Sequence, residues 1–241
     1  MVKQLKGKFI VFEGLDGSGK STQTKLLAEY LAKQGRPAVK IDFPQHGMPS
    51  AGMVDEYLRG KYGQADEVGP YRASVFYACD RYDASFKIRQ WLNEGKIVVA
   101  DRYLASNIGH QGGKIKNKAE WRKYVKWLYD LEYGIFGIPK PDMTIILKTN
   151  PAITLKLAHK IIDQEKLAKR KAYLGKQKRD IHEKNKQHLA DALRSYLWAC
   201  QEFPRDFKAI DCMEGASLSP PSEIHQKIVC LIKKIIWIAN N

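Results

Sequence analysis

Short apolar runs alternate with longer amphipathic segments along this chain. Five runs have the length and the β-branched residues of buried strands, and they cover residues 8–13, 38–42, 96–101, 143–148 and 207–211. Helical spacing of apolar residues predicts a helix over 20–35, one or two helices over 70–95, a helix from Pro151 and another over 188–203. Strands that alternate with helices are typical of a parallel sheet with helices on both faces. The pattern therefore predicts an α/β fold with a five-stranded parallel sheet, and ligands at the carboxyl ends of its strands.

Residues that commonly begin or end helices lie at the predicted boundaries. Gly35 and Gly95 follow helical segments, and Asn150 precedes Pro151 as a predicted N-cap. A last helix is predicted over about residues 221–239, where apolar residues recur every three or four positions. Two lysines interrupt this tail, so we expect a docked helix rather than a membrane anchor.

The composition of the chain is distinctive mainly in its charge. The chain, residues 1–241, is expected to form one domain, because no linker or repeat divides it. It has 41 Lys and Arg against 26 Asp and Glu, and the net charge of +15 favours anionic partners such as nucleotides, nucleic acid or anionic lipid.

The four cysteines form no CxxC pair, which predicts reduced thiols. With no apolar stretch typical of a signal peptide at the start, a cytoplasmic location is expected.

A glycine-rich stretch lies between the first predicted strand and the first predicted helix. It fits the P-loop pattern GxxxxGK[ST], and we call it the P-loop. Its residues are Gly14, Leu15, Asp16, Gly17, Ser18, Gly19, Lys20 and Ser21, and Thr22 follows. Backbone N–H groups of such a loop form a concave anion site, to which the helix N-terminus adds its dipole. Lys20 is expected to reach the β- and γ-phosphates, and the Ser21 hydroxyl to ligate Mg²⁺. The stretch predicts a site for ATP or another nucleoside triphosphate; the alternative is a turn without a ligand.

Charged residues follow the third predicted strand. Asp101 and Arg102 come at the strand end, where ligands gather in a parallel sheet. Asp101 can hold Mg²⁺ through water, and Arg102 can bind a phosphate with two parallel hydrogen bonds. Asp16 lies among phosphate-binding amides, where a carboxylate needs a cation or an acceptor hydroxyl nearby. The alternative is a surface ion pair between Asp101 and Arg102.

Two residues on the long helix are suited to a nucleobase. Tyr77 and Arg81 are four positions apart and share one helix face. A flat ring can stack on a base, and a guanidinium can donate to a carbonyl oxygen of the base. Ordinary helix packing is the alternative for this pair.

Together these stretches resemble the thymidylate kinases, a family of P-loop enzymes that phosphorylate dTMP with ATP. The resemblance runs in order from about residue 8 to about residue 199. It rests on FEGLDGSGKSTQ (12–23), DFP (42–44), FYACDRY (76–82), DRYLASNIGHQGG (101–113), PDMTIIL (141–147) and the later helix at 180–197. The family fold, a five-stranded parallel sheet wrapped by helices, agrees with the pattern above.

The resemblance implies a role for each matching residue. Gly14 to Thr22 would hold the ATP phosphates, and Asp16 would lie near the acceptor phosphate and its arginine. Asp101 and Arg102 would be the charged pair at the phosphates. Tyr77 would stack on thymine, and Arg81 would bind thymine O4. The other residues implied at the substrate are Phe43, Pro44, Asn107, His110 and Gln111.

Two positions depart from the family. Many members carry an arginine just after the Phe-Pro pair, where this chain has Gln45 and His46. Arg72 is then expected to help Arg102 hold the acceptor phosphate. His110 stands where the family usually has a tyrosine below the sugar. Because that position helps to exclude a ribose 2′-hydroxyl, we expect looser selectivity for deoxynucleotides.

A basic segment follows the fourth strand. Residues 156–188 hold eleven Lys and Arg against four Asp and Glu. Phosphoryl transfer needs positive charge on the migrating group, and this P-loop contains no arginine. In the resembled family the lid supplies the cation in that case. A lid is predicted over about residues 164–180, with Lys176, Lys178 and Arg179 as candidate catalytic cations; the alternative is a solvated helical face.

Other functions stay open on the sequence alone. One is another P-loop kinase, acting on nucleoside monophosphates or deoxynucleosides with broader pyrimidine specificity. A second, suggested by the high positive charge, is a non-catalytic nucleotide- or nucleic-acid-binding module. The expected partners are ATP and dTMP, with no nucleic acid and no membrane, and the resemblance implies a homodimer.

Overall fold

The computed structural model describes residues 7–158 and 186–236. Its centre is a parallel sheet of five strands in the order β2-β3-β1-β4-β5. The strands are β1 (Lys8–Gly14), β2 (Ala38–Asp42), β3 (Ile97–Asp101), β4 (Met143–Lys148) and β5 (Phe207–Asp211). The five predicted strands and the α/β fold are therefore confirmed, with bounds that differ by one residue at most.

Strand register brings the functional loops together. Phe12 on β1 pairs with Asp101 on β3, and Gly14 pairs with Leu147 on β4. Because β1 and β3 end at the same edge of the sheet, the glycine-rich loop after β1 lies beside the residues that follow β3. Arg102 donates its backbone N–H to the Phe12 carbonyl at 2.8 Å, which extends this contact beyond the sheet.

Helices cover both faces of the sheet. They are α1 (Lys20–Lys33), α2 (Gly52–Leu58), α3 (Ala65–Asn93), the single turn α4 (Leu104–Ser106), α5 (Lys118–Tyr129), α6 (Pro151–Ala158), α7 (Lys186–Glu202) and α8 (Pro221–Ile236). A π-helical segment, Asn107–Gln111, follows α4. A small antiparallel hairpin of β6 (Met213–Glu214) and β7 (Ser217–Leu218) lies between β5 and α8. The elements α2, α5 and the hairpin were not predicted.

The long helix α3 begins five residues before the predicted position. Gly69 takes a left-handed conformation (φ 72°) that interrupts the helix, and Pro70 restarts it. A capping box closes the true start, with Glu67 accepting from the backbone N–H of Gln64 at 2.6 Å. The helix that carries Tyr77 and Arg81 is thus continuous from Pro70 onward.

The last helix packs on the sheet as expected. Ile224, Ile228, Ile232 and Ile236 are buried in one core cluster with Leu27 and other residues of α1 and the strands. A second cluster, which includes Tyr103, Trp121 and Tyr196, lies on the opposite face. Residues 237–239 of the predicted helix lie outside the described residues. Across the described residues, no helix combines the length and apolar character needed to cross a membrane.

Candidate active site

The glycine-rich loop has the conformation of an anion site. Gly14 (φ 138°) lies so close to β4 that a Cβ there would stand 2.8 Å from the Leu147 carbonyl oxygen. Gly19 (φ 89°) turns the chain into α1. The hydroxyls of Ser18 and Thr24 are buried and have no hydrogen-bond partner among the described residues. Ser18 lies in the loop itself, directly before the helix N-terminus, and its unpaired buried hydroxyl fits a loop whose partner is a bound anion.

Lys20 folds back over this loop. Its Nζ donates to the carbonyls of Gly14 at 3.1 Å and Leu15 at 2.8 Å. Burial lowers the pKa of this amine to about 8, and Arg102 adds to the effect, while Asp101 and Asp16 oppose it. The buried Lys20 ammonium donates to two neutral carbonyl oxygens, so it gains charge stabilisation from any phosphate bound in the loop.

Arg102 and Asp16 form an ion pair beside the loop. Arg102 Nη2 donates to Asp16 Oδ1. The Arg102 side chain is 16% exposed and the Asp16 side chain 50% exposed. Desolvation alone would raise the pKa of the Asp16 carboxyl, but Arg102 and Lys20 lower it by more, so Asp16 is ionised. The structure thus supplies the nearby cation that a carboxylate in this position requires.

A buried glutamate holds the backbone at Arg102, which is left-handed (φ 72°). Glu13 accepts from the backbone N–H groups of Tyr103 at 2.7 Å and Ser106 at 2.8 Å, and from the Tyr196 hydroxyl at 2.9 Å. A non-glycine residue in this region costs about 1–3 kcal/mol, and the bonds to Glu13 offset that cost. Glu13 was not predicted as a functional residue, although a glutamate at the end of an apolar strand is a visible signal.

A pocket of about 680 Å³, counted to its open mouth, extends from Arg102 toward α3. Nine predicted residues line it: Asp16, Phe43, Pro44, Tyr77, Arg81, Arg102, Asn107, His110 and Gln111. Four lining residues were not predicted: His46, Leu58, Tyr103 and Ser106. The structure therefore brings together, in one cavity, residues from α2, α3 and the segments that follow β1, β2 and β3.

Arg81 forms the far end of this pocket with a partner that was not predicted. Its Nε and Nη2 donate to the two carboxylate oxygens of Glu132 at 2.6 and 2.7 Å, and Nη1 donates to the Tyr103 carbonyl at 3.4 Å. The Arg81 and Glu132 side chains are 2% and 0% exposed. Burial opposes the charge on Arg81, yet Glu132 raises its pKa, so this guanidinium is permanently cationic and donor-only.

The residues that line the pocket do not include Arg72, and its expected help in holding a phosphate stays a prediction. Arg72 is exposed on α3 and donates to the Glu67 carbonyl at 3.3 Å. It lies nine positions before Arg81, about two and a half helical turns, so the two face opposite sides of α3. His46 lines the pocket instead, and its Nδ1 lies 2.5 Å from Asp55 Oδ1.

The π-helical segment brings three predicted residues to the pocket wall. Asn107 donates to the Ser74 carbonyl at 3.3 Å, and Gln111 accepts from Lys114 Nζ at 2.7 Å. His110 Nε2 lies 3.0 Å from Arg102 Nη1. These contacts fix two amides and an imidazole along the wall between the two arginines.

Comparisons with known proteins agree with this geometry. The family model described as Thymidylate kinase matches residues 12–228. The chain belongs to the thymidylate kinase family. The thymidylate kinase of Thermoanaerobacter sp. (strain X514) is 32% identical over 234 residues, which cover 96% of this chain and 100% of that protein. That of Plasmodium falciparum (isolate 3D7) is 33% identical over 147 residues, 61% of this chain and 63% of the relative.

A solved structure supports the fold of this thymidylate kinase family member. The thymidylate kinase of Candida albicans superposes with a TM-score of 0.67 at 24% identity, and the match covers 95% of this chain and 92% of the other. At that identity the likeness concerns the fold alone.

Membership of the thymidylate kinase family makes this chain an ATP-dependent kinase that phosphorylates dTMP. Neither a broader P-loop kinase nor a non-catalytic binding module is favoured by the comparisons. The predicted lid residues Lys176, Lys178 and Arg179 lie outside the described residues.

Proposed function

We propose that the P-loop binds ATP and that the pocket between Arg102 and Arg81 binds dTMP, with the phosphate at Arg102 and the base at Arg81. The observation that carries the proposal is the different pairing of these two arginines. Arg81 is sealed against Glu132, which suits recognition of a neutral base. Arg102 lies beside the P-loop with a half-exposed partner, which suits a phosphate that brings its own charge.

Base selection follows from the chemistry of Arg81. Its guanidinium can only donate hydrogen bonds, and Glu132 holds two of its nitrogens in place. Thymine and uracil offer a carbonyl oxygen at C4, whereas cytosine offers an amino group. Tyr77, half-buried against Tyr57, supplies a ring for stacking. This arrangement supports a preference for dTMP, with dUMP second.

Phosphate transfer would take place between Lys20 and Arg102. Lys20 would hold the β- and γ-phosphates of ATP, and Arg102 the acceptor phosphate. Asp16 keeps Arg102 at the loop through their ion pair. Positive charge on both sides of the migrating group stabilises a transition state in which charge spreads over its oxygens.

Mg²⁺ is proposed as the metal of this site. Ser21 in the first turn of α1 and Asp101 at the end of β3 offer a hydroxyl and a carboxylate at the loop, and hard oxygen donors of this kind fit Mg²⁺. When bound, the ion would neutralise charge on the ATP phosphates. Ser21 would contribute its hydroxyl directly, and Asp101 would orient coordinated water.

The lid remains a proposal that rests on sequence. The P-loop contains no arginine, so Lys176, Lys178 or Arg179 would supply an additional cation to the transition state. Alanine at all three positions should lower kcat much more than it raises KM, because such a contact forms mainly in the transition state. An unchanged kcat in the triple variant would move this role to Arg102.

We also propose that the chain forms a single domain, that it is a homodimer, and that it is cytoplasmic and binds no nucleic acid. Exposed apolar residues recur every three or four positions along α3 and form one stripe: Tyr71, Val75, Cys79, Tyr82 and Phe86. A continuous apolar stripe on an exposed helix supports burial against a second copy. Sedimentation should show a dimer that Phe86→Asp converts to monomer; a wild-type monomer would contradict the homodimer.

A coupled ADP-release assay tests the assignment of the two sites. With ATP and Mg²⁺ we expect dTMP to be the best acceptor, dUMP to follow by about 10–200-fold, and purine monophosphates and UMP to be poorer. Lys20→Ala should lower kcat/KM by about 100-fold or more, the usual loss when one electrostatic donor is removed. Near-normal turnover in Lys20→Ala, or equal use of dGMP, would contradict the proposal.

A further inference from the structure

Two histidines from separate elements meet behind Arg102. His110 lies on the π-helical segment and His188 on α7. Their rings are stacked with centroids 5.6 Å apart and an interplanar angle of 29°. His110 Nδ1 lies 3.4 Å from His188 Nε2, while the other nitrogen of His110, Nε2, lies 3.0 Å from Arg102 Nη1. A chain of three side chains therefore runs from the pocket to α7.

Glycines make this meeting possible. A Cβ on Gly109 would stand 2.2 Å from the ring of Tyr196, and one on Gly113 would stand 2.9 Å from the backbone nitrogen of Ala192. Both contacts are shorter than any side chain tolerates, so the segment around His110 rests directly on α7. The close approach sets His110 against His188 at hydrogen-bonding distance.

The direction of the hydrogen bonds follows from Arg102. A guanidinium has no acceptor, so His110 Nε2 must accept from Nη1 and carries no proton. His110 is then the Nδ1–H tautomer, and its Nδ1 donates to His188 Nε2. His188 must therefore present an unprotonated Nε2. Arg102, His110 and His188 form a one-way chain in which each donor requires the acceptor beyond it.

The surroundings keep both rings neutral. The charged groups that act on the pair from the described residues are Arg102, Asp16, Lys20, Lys114, Asp66 and Asp191. Burial, with Arg102, lowers the pKa of His110 well below its usual value. Burial, with Lys114, lowers the pKa of His188 to about 4. Both histidines are thus able to accept hydrogen bonds at neutral pH.

We infer that His188 is a positioning residue for Arg102: it fixes the tautomer of His110, and His110 with Asp16 then holds the two terminal nitrogens of the guanidinium. Asp16 bonds Nη2 and His110 bonds Nη1, so the plane of the guanidinium cannot turn about its stem. Nη2 keeps a second N–H for a ligand, while Nη1 also donates to Ser106 Oγ at 3.4 Å. The inference rests on the proposed role of Arg102 at the acceptor phosphate.

Two substitutions of His188 distinguish the loss of its hydrogen-bond acceptor from the loss of its ring volume. His188→Gln keeps an oxygen acceptor near the place of Nε2, whereas His188→Leu removes it. The same pair of changes at His225, a half-buried histidine on α8, serves as the control. We expect His188→Leu to lower kcat/KM for dTMP by about tenfold, the effect of losing one hydrogen bond in a charged network, with the KM for ATP unchanged. His188→Gln and both His225 variants should stay within about twofold of wild type.

Nitrogen-15 NMR of the free protein at pH 7 reads the tautomer without any turnover. In wild type and His188→Gln, His110 should carry its proton on Nδ1; in His188→Leu, signals of the Nε2–H tautomer should appear. An unchanged tautomer in His188→Leu would overturn the inference, and so would equal kinetic losses in the Leu and Gln variants. A changed tautomer with unchanged kcat/KM would confirm the hydrogen-bond chain but overturn the positioning role of His188, whereas the role of Arg102 at the acceptor phosphate is tested separately by substitution of Arg102 itself.

Discussion

The two ends of the substrate pocket each present an arginine paired with a carboxylate, but the pairs differ in exposure. Arg81 and Glu132 are 2% and 0% exposed and joined by two hydrogen bonds. Arg102 and Asp16 are 16% and 50% exposed, and the Arg102 guanidinium also contacts His110. A buried cation that faces a neutral base needs an internal counter-charge, whereas one that faces a phosphate receives part of its counter-charge from the substrate. The proposed ligands, a base at Arg81 and a phosphate at Arg102, would account for the difference between the two pairs.

The largest effect is expected for the pair of Arg81 and Glu132, at the end of the pocket that is proposed to bind the base. Glu132→Gln leaves Arg81 buried without a carboxylate, and we expect the free energy of unfolding to fall by about 3–5 kcal/mol. Asp16→Asn, at the open end, should cost about 1 kcal/mol or less, because half of that side chain lies in water. Urea denaturation measures both. Glu202→Gln, which breaks an exposed pair with Arg122, is the control and should change the midpoint little. Equal losses at Glu132 and Asp16 would remove the distinction between the ends.

A smaller effect is expected for Arg102, at the end of the pocket that is proposed to bind the acceptor phosphate. Arg102→Lys keeps the charge but not the planar fork that binds Asp16, His110 and a phosphate together. We expect kcat/KM for dTMP to fall by about 100-fold, equivalent to about 2.7 kcal/mol, while the free energy of unfolding stays within about 1 kcal/mol of wild type. Steady-state kinetics and urea denaturation of the same variant provide the two values. Full activity in Arg102→Lys would show that a point charge suffices.

The smallest effect concerns the proton on Lys20. Its pKa of about 8 in the free protein means that about half of the amine is neutral at pH 8. Bound phosphate raises that pKa, so ATP binding should take up about half a proton at pH 8 and almost none near pH 6.5. Calorimetry in two buffers of different ionisation enthalpy measures the uptake. Lys20→Arg, which is always charged, should bind ATP without it; uptake that survives in Lys20→Arg would assign the proton elsewhere.

Local signals explain what could be predicted from the sequence. The strands are short apolar runs that fill a buried sheet, so their bounds are visible in the residues themselves. The P-loop is equally local, since its glycines, Lys20 and Ser21 lie within eight consecutive positions. Tyr77 and Arg81 follow from helical spacing on α3. Each of these features depends on neighbours in sequence.

The partners that complete the site are distant in sequence and could not be predicted. Glu132 lies 51 positions after Arg81, and His188 lies 78 positions after His110. The buried residues of α5 do follow a helical pattern, from Trp121 to Leu128, so that helix was missed despite a local signal. Arg72 lies nine positions before Arg81, so helical spacing puts the two on opposite sides of α3, and Arg72 is not among the residues that line the pocket.

In the proposed function, Arg81, held by Glu132, selects the base through a hydrogen bond that its guanidinium donates. The most direct measurement is the ratio of kcat/KM for dTMP to that for dCMP in the wild-type enzyme, with ATP and Mg²⁺ saturating. A donor facing the cytosine amino group leaves buried polar groups unpaired, so we predict a ratio of about 10⁴. A ratio near one would contradict the claim and assign base recognition to other residues.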